Sequence, residues 1–448
     1  MSWPARPDEV KDQKAWWLAD LPRGWTFRRL KTVLAEPMVY GANEAPDSDD
    51  PGDPRFVRIT DIADNGTLKP HTFRSLSMAK AEPYLLNDGD LLFARSGATV
   101  GKSVMYSRSW GPCCFAGYLI RARPNPEMTL SKYLRYFSES WAYWQQIASE
   151  QIQSTIQNFS AERYANLSVP MPDLAGQRAV VRFLDIKTAQ IDAAISKQEQ
   201  LIATLTEDRT ATVTHAVTKG LDVDIKMKDS GVEWIGPFPA HWAYSRVKYA
   251  CTILMGFAFK SEGFTHDSDD VPLLRGANVG VDQIDWTDVV YWPRSQASAF
   301  SEYELAADDI VMGLDRPFIS GGIRVSRVGR GDLPSLLLQR VARIRALSAF
   351  EQKYLFYLLT GPGIVHHLTP IFTGVSVPHV SPDQLCSFPI PRPPLDEQQR
   401  IVAHLDMRCS QIDSLIAKAN EVIKTMREYR SALITDAVIG RIDVREAV

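Results

Sequence analysis

The residues closest to a recognisable chemistry are Gly97-Ala-Thr-Val-Gly101-Lys102-Ser103, which nearly spell a nucleotide-phosphate loop. Such a loop needs four residues between its glycines and must open a helix, so that backbone N–H groups point at phosphate. Here three residues separate the glycines, and Val104-Met105-Tyr106 reads as a strand. A Gly-rich basic turn that approaches a DNA backbone is the better use of these residues. His366, His367 and His379 could be drawn as metal ligands, but no carboxylate at suitable spacing completes the set, so they read as exposed loop histidines.

Other motifs fail in the same way. There is no dinucleotide fingerprint, no His-Glu-x-x-His and no paired Cys-x-x-Cys. Pro393-Pro394-Leu395 faintly resembles the Pro-Pro-aromatic element of DNA amino-methyltransferases, but it lacks the leading Asn or Asp and the aromatic. No nucleophile, base and oxyanion donor can be assembled. The expectation is a chain with no catalytic centre, no metal site and no cofactor of its own.

Charge points to a different task. The 448 residues are 45% hydrophobic and 23% charged, with a net charge of −3, which on its face argues against a nucleic-acid binder. The distribution matters more than the sum. Leu91 to Pro126 contains Arg95, Lys102, Arg108, Arg121 and Arg123 and no acid, and Arg316 to Arg345 holds seven arginines against Asp332 alone. The acids collect elsewhere, as in Asp47–Asp53 and Asp267–Asp270. Each half of the chain therefore has a basic stretch suited to phosphate and base edges. Met1 to Val10 is polar and unlike a signal peptide, and no apolar run approaches the ~18 residues of a membrane helix. The five cysteines, Cys113, Cys114, Cys251, Cys386 and Cys409, lack metal-ligand spacing. A reduced, cytoplasmic setting fits them best.

The elements that must position these residues are written twice. Ser160–Val223 matches Ser381–Val444 without a gap at an offset of 221, including Pro170/Pro391, Gln177/Gln398, Asp185/Asp406, Asp192/Asp413 and Arg209/Arg430. The starts of the halves match at offset 217, as Trp17, Pro22, Trp25, Arg29 and Lys31 against Trp234, Pro239, Trp242, Arg246 and Lys248, with Arg58 against Arg275 farther in. The second copy has thus gained about four residues inside its globular part, and the middles agree poorly. Constant frames with divergent centres suggest one architecture carrying two specificities.

The repeated block reads as a long helix. Pro170 and Pro172, and later Pro393 and Pro394, end the preceding extended segments. Leu174, Val181, Leu184, Ile191, Ile195 and Ile202 then mark a heptad seam, repeated by Leu395, Val402, Leu405, Ile412, Ile416 and Ile423. Gly220 and Gly440 fall just past the seams, where helices commonly end. From Leu174 to Val217 such a helix is ~65 Å long. Its stripe needs a partner, and the simplest is the other helix, antiparallel, with the domains at opposite ends. The remaining segments look like mixed α/β domains. Strands are expected at Phe56–Ile62, Asp90–Ala94, Ser103–Tyr106, Tyr118–Ala122, Ile310–Gly313, Gly322–Val328 and Arg340–Ile344, and amphipathic helices at Ser131–Ser149 and Phe350–Leu359. The aromatics Tyr133, Tyr136, Phe137, Trp141 and Trp144 read as core rather than as a base-stacking platform. The expected fold is α/β (α+β): two tandem globular domains, 1–170 and 222–391, separated and followed by long helices, 171–221 and 392–448, that form an antiparallel coiled coil with a pseudo-twofold internal repeat.

This pattern resembles the specificity subunit of type I restriction–modification systems. The resemblance rests on Leu174–Asp192 and Leu395–Asp413, of the type L-x-x-Q-x-x-x-V-x-x-L-D followed by Q-I-D, and on the boundary element Val232-Glu-Trp-Ile-Gly-Pro-Phe-Pro239. Gly89-Asp-Leu-Leu-Phe-Ala-Arg95 and Asp308-Asp-Ile-Val-Met-Gly-Leu-Asp-Arg316 resemble strands of its recognition domains. A Pro/Asp-rich insertion at Ala45–Pro54 departs from the pattern. The resemblance implies a subunit that reads a bipartite site in double-stranded DNA, one half per target-recognition domain. It further implies two methyltransferase (modification) subunits and two motor-nuclease (restriction) subunits as partners, with S-adenosylmethionine, ATP and Mg²⁺ on those partners and no membrane involved. A free-standing DNA-binding regulator and a scaffold that binds no DNA are the alternatives. The residues expected at DNA are Arg58, Thr60, Arg95, Ser96 and Lys102 in the first domain, and Arg275, Asn278, Arg316 and Arg324 in the second. The alignment of Arg58 with Arg275 favours a shared structural or phosphate role for that pair.

Overall fold

The computed structural model describes residues 21–63, 68–151, 158–319, 321–372 and 378–444; Trp17 and Met1–Val10 lie outside them. The chain forms two compact units, Met1–Glu199 with Asn420–Val448, and Gln200–Ala419. Both divisions fall inside the long helices, which run Leu174–Lys219 and Leu395–Val438. Each unit thus holds one globular domain, the beginning of the helix that follows it, and the end of the other helix.

Inside each unit the same frame is built. In the first, Val39–Tyr40, Leu119–Ala122, Leu91–Ala94 and Ser103–Met105 lie side by side in one antiparallel sheet. Arg55–Val57 pairs in parallel with Cys113–Phe115, and Thr26–Arg29 pairs antiparallel with Ser168–Met171. The second unit repeats every one of these pairings. Its sheet runs Cys251–Met255, Val341–Ala346, Ile310–Gly313, Val325–Arg327, its parallel pair is Val271–Leu274 with Leu336–Leu337, and Ala243–Arg246 pairs with Pro389–Arg392. Two glycines show how tightly the frame is set. A Cβ on Gly41 would lie 2.3 Å from the Phe115 carbonyl oxygen, and one on Gly256 would lie 2.1 Å from that of Leu338, so neither site admits a side chain.

The local reading of the chain needs three corrections, of which the first is that Gly322–Val328 is two strands, Gly322–Ile323 and Val325–Arg327, in different sheets. The run Phe56–Ile62 is a strand only to Val57, and Ile59–Asp61 is a 3₁₀ turn held by the Asp61 carboxylate on the Arg58 N–H. The single helix expected at Ser131–Ser149 is two, Ser131–Glu139 and Trp141–Gln151. Buried Ser140 breaks it with extended backbone, and its hydroxyl both donates to the Phe137 carbonyl and accepts from the Tyr143 N–H, which starts the next helix. Tyr133, Tyr136 and Phe137 are buried in the core, as expected.

Each core is finished by the helix end that belongs to the other copy in sequence. In the first unit Val180, Val181, Phe183 and Leu184 pack with the domain and with Leu433, Ile434, Ala437 and Val438. In the second, Ile401, Val402, Leu405 and Cys409 pack with the domain and with Val213, Ala216 and Val217. Gln177 fixes the first helix to its own domain. Its Oε1 accepts from the Leu130 N–H at 2.9 Å and the Thr129 hydroxyl at 3.1 Å, while Nε2 donates to the Met128 and Pro172 carbonyls. Gln398 repeats this with the Glu351 N–H and the Ala349 and Pro393 carbonyls. Lys132 and Tyr136 reach Asp185, just as Lys353 and Tyr357 reach Asp406.

Farther along, the helices face each other in heptad register inside each unit. In the first, Arg430 bonds Asp192 and Glu139, both at 3.0 Å, and Arg427 bonds Glu199 at 3.1 Å, so the two helix segments are antiparallel. In the second, the repeat mates Arg209 and Asp413 pair at 3.1 Å, and Arg209 also holds Asp282 at 3.0 Å. Ile195, Ile412 and Ile423 are buried, and Ile191, Ile202 and Ile416 are half-buried. The start of the seam differs from expectation. Leu395 is 42% exposed and Leu174 only partly covered, because the first turn docks through Gln398 or Gln177 rather than through its leucine. Among the described residues, no helix is long and apolar enough to cross a membrane.

Candidate nucleic-acid interface

The expected DNA contacts divide into framework residues and presented residues. Arg58 belongs to the frame. Its guanidinium grips fully buried Asp61 through Nε at 3.0 Å and Nη2 at 2.8 Å, a pairing that raises its pKa above the ordinary arginine value. Arg275 is its counterpart, bonded to Asp288 at 2.9 Å, and its N–H donates to Asn278 at 3.1 Å as that of Arg58 does to Asp61. Asn278 is therefore removed from the candidate contacts. It is 2% exposed, and its amide donates to the Asp285 and Asp288 carbonyls. Asp61 and Asn278 close one repeated turn, and the need there is a side-chain oxygen, not a base reader.

The basic stretches are less bare than their sequences suggest. Arg121 and Arg123 turn inward to Glu36 and Asp90, with Arg123 held on Asp90 at 2.8 Å. Arg345 holds Asp309 in the same place in the second domain, and Arg343 donates to the Glu302 and Glu304 carbonyls. These arginines tie strands together. Outward charge remains on Lys102 and Arg108 in the first domain and on Arg316 and Arg330 in the second, all exposed. Arg95 is partly exposed and lies over the Tyr40 ring at 4.7 Å. Thr60 is exposed beside Lys69, which bonds its carbonyl. Arg324 is half-buried and bonds the Gly276 carbonyl at 2.5 Å. Lys102 and Arg324 occupy one frame position, because each receives a strand hydrogen bond at its carbonyl, from Ala94 and from Gly313 respectively.

The presented residues cluster where the central strand of each sheet ends. In the first domain the Arg95 N–H donates to the Tyr118 carbonyl and Ser96 bridges Asn158. In the second the Leu314 N–H donates to the Arg340 carbonyl and Asp315 bridges His379. Tyr118 is 70% exposed, and the Arg340 side chain 63%. Tyr118, Asp315, Arg340 and His379 are not among the residues that the sequence places at DNA. The turn aspartates Asp90 and Asp309, each fixing a loop three residues back and an arginine on the next strand, would have aligned the two middles and exposed this correspondence.

The Gly97–Ser103 segment is a 3₁₀ turn followed by the strand Ser103–Met105, so its N–H groups are not gathered at a helix start. His366, His367 and His379 go to different partners: Glu233 at 3.5 Å, the Gln384 carbonyl with Ser387, and Asp315. Among the described residues, no three His, Cys, Asp or Glu side chains gather as metal ligands. Burial pushes the thiols of Cys113, Cys114 and Cys251 up to about 12, which suits packing rather than nucleophilic chemistry.

Comparison with known proteins accords with this geometry. The chain is 36% identical over 217 residues to the type I restriction enzyme EcoAI specificity subunit of Escherichia coli, a match covering 45% of this chain and 34% of that subunit. It is 24% identical over 363 residues to the MjaVIII specificity subunit of Methanocaldococcus jannaschii, covering 81% of each. A solved chain described under the structural basis of complex assembly and conformational transition of the type I R-M system superposes with a TM-score of 0.68 at 18% identity, over 94% of this chain and all of that one; this likeness concerns the fold. The profile of the type I restriction modification DNA specificity domain matches residues 22–204 and again 239–425, each match taking in a globular domain and most of the helix after it, and the chain belongs to that family.

Proposed function

We propose that the chain is the non-catalytic DNA-reading subunit of a type I restriction–modification complex, with each domain reading one half of a bipartite site in double-stranded DNA. The observation that carries this is the contrast between frame and tip. The first unit's sheet pairings, the Gln177 and Gln398 locks and the Arg430 and Arg209 pairs recur, while the residues at the strand ends differ in chemistry. A frame kept twice with different tips suits one docking geometry used on two sequences. The long helices set the spacing between the half-sites. A free-standing regulator or a scaffold would not need this twinned frame.

The helices also bear the partners. Ile186 and Leu201 on the first helix are 43% and 45% exposed, and their repeat mates Met407 and Val422 are 55% and 39% exposed. Leu415 and Tyr429 continue the second set. Two corresponding apolar faces fit two copies of one partner, the methyltransferase subunits, with two motor-nuclease subunits completing the assembly. S-adenosylmethionine, ATP and Mg²⁺ belong to those partners, and the setting is the cytoplasm. Methylome sequencing of cells with and without the gene tests the reading. One bipartite methylated motif should vanish with the gene; an unchanged methylome in a strain with active partner genes would refute it.

A further inference from the structure

We infer that Arg316 and Arg340 form a guanine-reading tip in the second domain, held by Asp315 and His379, at the frame position where the first domain presents Gly97 and Tyr118. The inference rests on the proposed DNA-reading role and adds the residues and the base class. Seven residues beyond the turn aspartates Asp90 and Asp309, the chain adopts a left-handed conformation in both domains, at Gly97 with φ 66° and at Arg316 with φ 45°. A Cβ on Gly97 would meet no atom within 4 Å, so the position is open outward and only its backbone favours glycine. The second domain places an arginine there against that preference. It does so again at Arg340, with φ 67°, opposite Tyr118. Strain of this kind persists where a side chain is needed at a fixed place.

The surroundings fit a presented guanidinium. The Arg316 N–H donates to the Pro378 carbonyl at 2.8 Å, which fixes its backbone, while its side chain is exposed and makes no hydrogen bond or ion pair with a described residue. The Asp315 carboxylate takes His379 Nδ1 at 2.6 Å on one oxygen and Arg340 Nη1 at 2.5 Å on the other. Arg340 is thereby aimed, with Nε and Nη2 left over. A planar fork of donors matches guanine O6 and N7 in the major groove, and two such forks at one tip make guanine its natural target. The first domain offers Tyr118, Ser96 and Asn158 at the corresponding place, neutral groups that suit other bases.

The experiment uses the full chain assembled with its methyltransferase subunits. Arg316→Gly and Arg316→Lys complexes are bound to a DNA library randomised in both half-sites, at two salt concentrations, with melting of each variant measured in parallel. Arg316→Gly takes the residue the sister domain uses and should melt no lower than the wild type. It should lose about 10- to 100-fold discrimination at one guanine-containing base pair of one half-site, with the other half-site unchanged. Arg316→Lys should keep affinity but lose most of that discrimination, because lysine lacks the fork. A uniform loss across all sequences, with the salt slope falling by about one, would make Arg316 a phosphate contact and overturn the inference. An unchanged profile, or a second half-site without guanine, would also overturn it. A wild-type complex that enriches no bipartite sequence would instead refute the proposed function.

Discussion

Lengthening both helices by one heptad should move the two half-sites apart by a calculable amount. The insertion points are after Lys197 and after Lys418, exposed repeat mates that lie between seam residues. Seven added residues extend each helix by ~10 Å and keep the heptad register. B-DNA rises 3.4 Å per base pair, so the preferred gap should grow by about three base pairs. The same change turns the second half-site by about a third of a helical turn, which some affinity must absorb. The contacts foretell what survives. Asp192–Arg430 and Arg209–Asp413 each keep both partners on one side of the insertions, whereas Glu199–Arg427 is divided. That last pair is exposed on both sides and contributes at most ~1 kcal/mol, so the protein should fold. The assay is methylation of a library holding both half-sites at every gap length. A one-residue insertion at the same points is the control, and it should unfold the seam. A folded, active heptad variant that still prefers the original gap would show that the helices do not set the spacing.

Four further outcomes follow from particular contacts. Arg95→Ala with Lys102→Ala should weaken DNA binding by the assembled complex and lower the salt slope by about two, read by anisotropy at several salt concentrations; unchanged affinity would make that stretch a solvated face. Gln177→Leu and Gln398→Leu each leave buried backbone groups without partners and should cost roughly 2–4 kcal/mol in denaturant titrations, with matching effects in the two copies. Arg430→Ala and Arg209→Ala each sever two carboxylates in half-exposed settings and should cost about 1–2 kcal/mol, against almost nothing for Arg427→Ala. Burial raises the Cys113, Cys114 and Cys251 thiols from 9.0 to about 12, so their neutral forms favour the fold fully below pH 9 and that contribution is lost as pH rises toward 12. Native protein should therefore react with a thiol reagent first at half-buried Cys386, with the others following only on unfolding.

The long helices were legible because a heptad stripe is a local pattern, repeated at a fixed offset. The first turn was misread because burial there follows a polar lock, so Gln398 is covered and Leu395 is not. The basic stretches were overcounted for a related reason. Arg121 meets Glu36, which lies 85 positions earlier, and no window over Leu91–Pro126 contains that acid. The tips were hidden because the middles align only in the frame of the strands. The second domain inserts residues between Gly313 and Arg324, where the first needs only the short turn from Ala94 to Lys102. A pattern search sees that shift as divergence, whereas the hydrogen bonds show it as one loop of different length.

The way each core borrows a helix end also bears on how the protein is made. The second unit is one continuous stretch, and its core is complete once Cys409 has left the ribosome. The first unit is synthesised earlier yet needs Leu433, Ile434, Ala437 and Val438, and the Tyr133 hydroxyl donates to a carbonyl 305 residues ahead. Closing so long a loop is slow compared with local packing. The domain born first is thus finished last, and until then the apolar groove lined by Val180, Val181 and Leu184 stands open to chaperones and proteases. A nascent chain halted between Cys409 and Leu433 would carry a closed second domain and an open first one, so synthesis of the segment from Leu433 to Val438 acts as the checkpoint for the first domain.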